Sequence, residues 1–196
     1  MALPGFHSPA AGFEQPFELL GACHERVHRT LALLARLQQH LELNGCDEQA
    51  KQAALDVMRY FDVAAPLHHE DEELHVFPSL LRFAPPEIKL LVYKLQGDHL
   101  QMQLRWVDAR TTLRRVAECC VGNWRPLTPS QTASLQHFAD LYAGHIEAEE
   151  QIAYPCAQKY LTSEDVQNMQ ADMMLRRGVN ATGHGNPQLP QQAQLK

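Results

Sequence analysis

Two stretches of the chain repeat one another without a gap: His68-His69-Glu70-Asp71-Glu72-Glu73-Leu74-His75-Val76-Phe77-Pro78 and His145-Ile146-Glu147-Ala148-Glu149-Glu150-Gln151-Ile152-Ala153-Tyr154-Pro155. Both have a leading His, a Glu at the third place, Glu-Glu at the fifth and sixth, then an aromatic residue and Pro. Residues four apart on a helix differ by only about 40° in direction, so each His-x-x-x-Glu presents an imidazole and a carboxylate side by side. Such a pair is suited to holding a metal ion. His69 with Glu73 has the same spacing as His68 with Glu72, but it lies off the apolar seam and off the alignment with His145 and Glu149. The pairs are therefore His68/Glu72 and His145/Glu149. The competing reading, salt-bridged surface charge, does not account for the repetition or the phase.

The elements that must position these pairs are helices. In 196 residues, 45% of them hydrophobic, apolar side chains recur at helical spacing from Pro16 almost to residue 160, and no strand-like alternation interrupts them. Breaks at Asn44-Gly45-Cys46-Asp47, Ala84-Pro85-Pro86-Glu87 and Gly122-Asn123-Trp124-Arg125-Pro126 leave four long helices. The last opens with a capping box, Thr128-Pro129-Ser130-Gln131. The fold class is thus all-α, an up-down-up-down antiparallel four-helix bundle. A short fifth helix is expected from Ser163 to Arg177, with Val166, Met169 and Met173 on one face. The organisation expected is an irregular arm over 1–15, the bundle over 16–161, the extra helix over 162–177 and a disordered Gly-, Asn-, Pro- and Gln-rich tail over 178–196.

Stepping by three and four places Leu20, His24, Val27, Leu31 and Leu34 inside on the first helix, and Met58, Phe61, Ala65, His68 and Glu72 on the second. The third contributes Leu95, His99, Met102, Trp106, Ala109 and Leu113; the fourth contributes Leu135, Phe138, Tyr142, His145, Glu149 and Ile152. Every helix has an inward His. In an antiparallel hairpin two residues share a level when they are equally far from the turn, and the midpoints between His24, His68, His99 and His145 all fall on the turns. Four imidazoles and two carboxylates should therefore meet in one layer.

A buried unpaired carboxylate forfeits several kcal/mol of solvation, which a cation restores. Four His and two Glu exceed one tetrahedral zinc but suit two octahedral ions, each with two His, bridged by both carboxylates and a solvent oxygen. Nitrogen and oxygen donors without thiolate favour iron, then manganese, with zinc able to substitute. About twelve coordination positions would be filled except for roughly two, where a small molecule can bind. His28, one turn after His24, is either an ordinary flank residue or a fifth imidazole. His69, His75, Glu70, Asp71, Glu73, Glu147 and Glu150 are expected on a solvated acidic face, some orienting ligands or guiding cations. Tyr142, one turn from His145, is a core residue that could reach the layer.

Composition narrows the function classes. Seventeen Lys and Arg against twenty-three Asp and Glu give a net charge of -6 with no basic stretch, so nucleic acid is an unsuitable partner. Neither a signal peptide nor a long apolar span is visible, which predicts no membrane association and a cytoplasmic location. Five cysteines without paired spacing suit reduced thiols.

From Phe17 to Tyr160 the chain resembles the hemerythrin-like (HHE cation-binding) proteins. The resemblance rests on His24 in Cys23-His24-Glu25-Arg26, on His68 and Glu72 ending in Val76-Phe77-Pro78, on His99 after Asp98, and on His145 with Glu149. It implies a non-haem di-iron centre held by His24, His68, Glu72, His99, His145 and Glu149. It also implies binding of dioxygen, nitric oxide or peroxide in sensing, scavenging, iron handling or repair. Oxygen-carrying members have a second His one turn after the first on the third helix, where this chain has Gln103. Reversible oxygen carriage is accordingly less expected than redox chemistry or iron sensing. Two other readings are a di-iron oxidoreductase turning over nitric oxide or peroxide, and a structural or interaction bundle secured by metal. No flavin, haem or Cys-x-x-Cys signature supplies electrons, which favours ligand binding over catalysis. A homodimer is compatible with this reading, and no redox partner is indicated.

Overall fold

The computed structural model describes residues 12–120 and 122–179; residues 1–11 of the expected arm and 180–196 of the expected tail lie outside the described residues. Helices account for the whole architecture, and no strand occurs among the described residues. The first arm is one helix, Pro16–Asn44. The second runs through Glu48–Arg59, Tyr60–Ala64, Ala65–Asp71, Glu72–Val76 and Phe77–Phe83. The third is Pro86–Ala117. The fourth comprises Pro129–Asp140, Tyr142–Ala148, Glu149–Ala153 and Tyr154–Ala157. The expected fifth helix is Ser163–Arg176. None of these helices is long and apolar enough to cross a membrane.

Local chemistry sets the ends. Gly45 takes φ 76, a left-handed value open to glycine, and its N–H closes the first arm on the Leu41 carbonyl. Asp47 caps the second arm by accepting the Ala50 N–H at 2.8 Å. The capping box at Thr128 and Gln131 is formed, and Thr162 makes another with Asp165.

Within the second and fourth arms the helix widens to the π form three times, and each wide turn is followed by the same local sequence. The Ala65, Phe77 and Tyr154 N–H groups bond back five residues to the carbonyls of Tyr60, Glu72 and Glu149, and the next residue is Pro66, Pro78 or Pro155. Proline has no N–H to give and its ring collides with the carbonyl four residues back, so inserting one residue before it relieves the clash without ending the helix. The insertion also advances the chain by about one residue's rotation, roughly 100°. That corrects one core expectation: Ile152 is 45% exposed, while Ala153 and Tyr154 turn inward. Leu31 and Trp106, also expected inside, are half-buried.

The bundle has two apolar cores. One contains Leu34, Val57, Phe61, Met102, Leu113 and Phe138; the other contains Leu20, Phe77, Leu80, Leu95, Met169 and Met173. Between them lies the level of His24, His68, His99 and His145. The C-terminal helix belongs to the second core through Met169 and Met173, each burial contributing about 1.5–3 kcal/mol. Outside, the third arm carries an exposed apolar stripe of Leu90, Tyr93, Leu100, Leu104 and Val107.

Candidate metal centre

The six side chains expected to converge do so. His24, His68, Glu72, His99, His145 and Glu149 are 0–3% exposed and come from all four arms. The imidazoles approach in pairs: His24 Nε2 lies 3.0 Å from His68 Nε2, and His99 Nε2 lies 3.1 Å from His145 Nε2. The carboxylates span the pairs. Glu149 places Oε2 3.2 Å from His24 Nε2 and Oε1 3.0 Å from His145 Nε2. Glu72 places Oε1 3.6 Å from His68 Nε2 and Oε2 3.4 Å from His99 Nε2.

The outer nitrogens of three of the imidazoles face partly exposed carboxylates, while His68 Nδ1 is buried without a partner. His24 Nδ1 donates to Glu150 at 2.9 Å and His99 Nδ1 to Glu73 at 3.0 Å, while His145 Nδ1 faces Asp98 at 3.5 Å. Carboxylates only accept, so they hold the ring proton on Nδ1 and leave the Nε2 lone pair facing inward. For His99 and His145 both lone pairs then meet at 3.1 Å, a repulsive arrangement unless a proton or cation lies between them.

This donor set fits metal ligation. Imidazole nitrogens and carboxylate oxygens without thiolate are donors that divalent transition-metal ions take, and the paired Nε2 atoms would hold such an ion. Glu72 Oε2 and both oxygens of Glu149 are buried without a hydrogen-bond partner. His24, His68, Glu72 and Glu149 have donor atoms close enough together to ligate one ion, and so do His69, His99 and His145.

Without a cation, protons must balance the layer. Burial and the neighbouring charge of Glu149 push the Glu72 carboxyl up to about 8. Burial acts the same way on Glu149, but the His145, His24 and His99 rings close beside it outweigh that and hold the carboxyl well below its usual range. Burial opposes a charge on His99, yet Glu149 and Glu72 raise it to about 10. His24 is raised by Glu149 against the same burial, whereas burial and repulsion from His24 depress His68.

Helical phase puts His69 and Asp71 on a solvated face, yet both are buried. Asp71 is covered by the C-terminal helix, accepting from Arg176 at 2.5 Å and from Arg177 at 2.5 Å. Nothing within the repeat signals this; the only cue is the Arg176-Arg177 pair far along the chain. His75 is tied to Asp172 at 2.7 Å rather than left to solvent. Glu70, Glu147 and His28 are exposed as an ordinary flank requires, so His28 stands away from the layer. Tyr142 packs against Phe61 and Phe138. The phenol that reaches the layer is Tyr154: its hydroxyl bonds Glu72 Oε1 and lies 3.3 Å from His24 Nε2. The wide turn after Glu149 brings it there. All five cysteines are free thiols.

Two comparisons bear on this geometry. The family model described as hemerythrin HHE cation binding domain matches residues 15–157. An uncharacterized protein of Haemophilus influenzae is 28% identical over 169 residues, covering 86% of this chain and 94% of its own length.

Proposed function

Because the chain belongs to the hemerythrin HHE cation-binding domain family, we propose that its polar layer is a non-haem di-iron centre held by His24, His68, Glu72, His99, His145 and Glu149. The centre binds a small diatomic or reactive oxygen or nitrogen species, in sensing, scavenging or iron handling. The observation that carries this reading is the set of three buried carboxylate oxygens with no hydrogen-bond partner, facing inward-directed imidazole nitrogens. When bound, the ion pair would supply reversible one-electron chemistry and open coordination positions.

The protein's own contribution is positioning and exclusion of water. Glu73, Glu150 and Asp98 fix the imidazole tautomers from outside. Phe77 stacks on His99 with ring centres 5.6 Å apart, and Tyr154 stacks on His24 at the same distance, closing the layer on its second-core side. Tyr154 gives its hydroxyl proton to Glu72 Oε1 and leaves the other Glu72 oxygen free of hydrogen bonds.

The test is elemental analysis with optical spectra of protein grown in iron-supplemented medium, before and after addition of nitric oxide or dioxygen. Two irons per chain and a ligand-dependent absorption change are expected; iron-loaded protein whose spectrum ignores both gases contradicts the reading. The outward stripe on the third arm follows heptad spacing through Leu90, Tyr93, Gly97, Leu100, Leu104 and Val107. That spacing is unchanged when the helix is reversed, so two copies can lay the same stripe against one another antiparallel. It supports a homodimer formed with a second copy, which sedimentation of wild type against Leu100→Glu would test: a concentration-dependent dimer lost in the variant is expected, and a wild-type monomer at all concentrations contradicts it.

A further inference from the structure

The end of the bundle away from the polar layer holds a group of thiols. Cys46 lies in the turn between the first and second arms and Cys119 just past the end of the third, neither of them on a helix. The two come together at one backbone atom: the Val116 carbonyl accepts the Cys46 thiol at 3.5 Å and the Cys119 N–H at 3.2 Å. Both residues also belong to the first apolar core, Cys46 within it and Cys119 packed against it. Burial, and then the Cys119 thiol beside it, push the Cys46 thiol up to about 11, so Cys46 stays protonated at neutral pH. At a rise of about 1.5 Å per residue, the pair stands roughly 30 Å along the bundle from His24 and His99.

Access separates the thiols. Cys46 is buried, Cys119 half-buried and Cys120 exposed. Cys119 and Cys120 line an open hollow of about 510 Å³ together with Arg114, Arg115 and Arg125. Arg115 is held there by Gln131 Oε1 at 2.8 Å, by the Arg125 carbonyl at 2.6 Å and by the face of Trp124. In a chain of net charge -6, three guanidinium groups around two thiols are a local excess of positive charge.

We propose that Cys119 and Cys46 form a hydroperoxide-reactive pair, in which Cys119 is oxidised from the arginine-lined hollow and Cys46 closes a disulfide onto it. The Cys119 sulfur attacks one peroxide oxygen: the S–O bond forms, the O–O bond breaks, and the departing oxygen takes the thiol proton and leaves as water or alcohol. The guanidinium groups stabilise the negative charge that passes to that oxygen. The Cys46 sulfur then attacks the Cys119 sulfur; the S–S bond forms, the S–O bond breaks, and hydroxide leaves with the Cys46 proton as water. Two thiols have given up two electrons and the peroxide has accepted them. Cys120 is the wrong partner for Cys119, because Cα atoms joined by a trans peptide are about 3.8 Å apart, short of the roughly 4.4–6.8 Å that a disulfide spans. The pair acts without the polar layer, so this proposal stands apart from the reading of that layer as a metal centre.

The test is mass spectrometry of the full chain, exposed to hydrogen peroxide in the presence of a chelator and then alkylated in denaturant. The protein should lose the mass of two hydrogens, keep three of its five thiols open to alkylation, and yield a reducible peptide pair joining Cys46 to Cys119. Five alkylated thiols, or a link that leaves out Cys46, overturn the proposal. In Cys46→Ser, dimedone should label Cys119 as the stranded sulfenic acid, and absence of that label overturns it as well. Should Cys46→Ser fail to fold, Cys119→Ser at the half-buried position decides the order of events: Cys46 should remain a thiol in peroxide, and its oxidation without Cys119 contradicts the proposed sequence. Arg114→Gln should slow disulfide formation several-fold, and an unchanged rate refutes the hollow as the side from which peroxide arrives.

Discussion

The two repeats are alike where they face the centre and different where they face the rest of the molecule. Each supplies a His and a Glu inward, sends the following Glu to an imidazole on another arm, and ends in a wide turn, an aromatic ring and Pro. Glu73 serves His99 and Glu150 serves His24; Phe77 stacks on His99 and Tyr154 on His24. The departures are equally regular. His69 stands against Ile146, Asp71 against Ala148, and Phe77 against Tyr154. The His24–His68 half thus has a phenol beside it, and the His99–His145 half an imidazole and an apolar cavity. Repetition builds a symmetric cage, and a few substitutions make its two sides chemically unequal.

Breaking what the repeats share should have the largest effect. His68→Ala or His145→Ala should each lower iron from two to one or fewer per chain and lower the melting temperature with it, because ligand binding at 100 times Kd adds about 2.7 kcal/mol of stability. Metal analysis and calorimetry check this, and unchanged stoichiometry in both variants would remove those residues from the centre. Asp71→Ala comes next. Leaving Arg176 and Arg177 without their buried partner should destabilise the protein by about 3–5 kcal/mol, whereas replacement of Ala148 by Ser at the matching place should change stability by less than about 0.5 kcal/mol. Denaturant melts that give the two variants equal midpoints would contradict the asymmetry.

Smaller effects separate the supporting groups. Glu73→Gln and Glu150→Gln should each weaken iron binding by about 10–100-fold, the range for groups that orient a ligating His, without changing stoichiometry. Glu73→Gln equal to Glu72→Gln would mean that the wrong carboxylate has been placed inward. Tyr154→Phe makes the second repeat resemble the first; losing a hydrogen bond to a carboxylate should lower stability by about 1.5–3 kcal/mol while iron content stays at two.

The smallest effect is set by pH and confined to the C-terminal helix. His75 and Arg176 hold Asp172 below its usual range, and Thr162 does the same for Asp165. Carboxyls depressed in the folded state contribute stability above their unfolded values and lose it as pH falls through the folded ones. Hydrogen exchange in Ser163–Arg176 should therefore accelerate below about pH 4, ahead of the bundle. Exchange that stays uniform across the molecule on acidification would argue against a separately tethered helix.

Much of this was legible in the sequence because it is governed by local phase. Four inward His at matched distances from three turns place the layer, and Gly45, Asp47 and Thr128 mark helix ends by their own backbone chemistry. What escaped depends on departures from that phase or on distant partners. Constant helical stepping puts Ile152 inside; Pro155 is the visible reason it is not, since the wide turn preceding it rotates Ala153 and Tyr154 inward instead. Asp71 is off the seam of its own helix and is buried only because a segment a hundred residues later lays two guanidinium groups on it. His69 shares an acidic stretch with exposed Glu70, and its burial comes from the third arm.

Anomalous diffraction at the iron edge, from crystals of iron-loaded protein, tests the central claim most directly. Two peaks are predicted, one beside the His24–His68 nitrogens and one beside the His99–His145 nitrogens, with Glu72 and Glu149 reaching both. A single peak, or iron bound outside that layer, would contradict the assignment of these six residues to a two-metal centre.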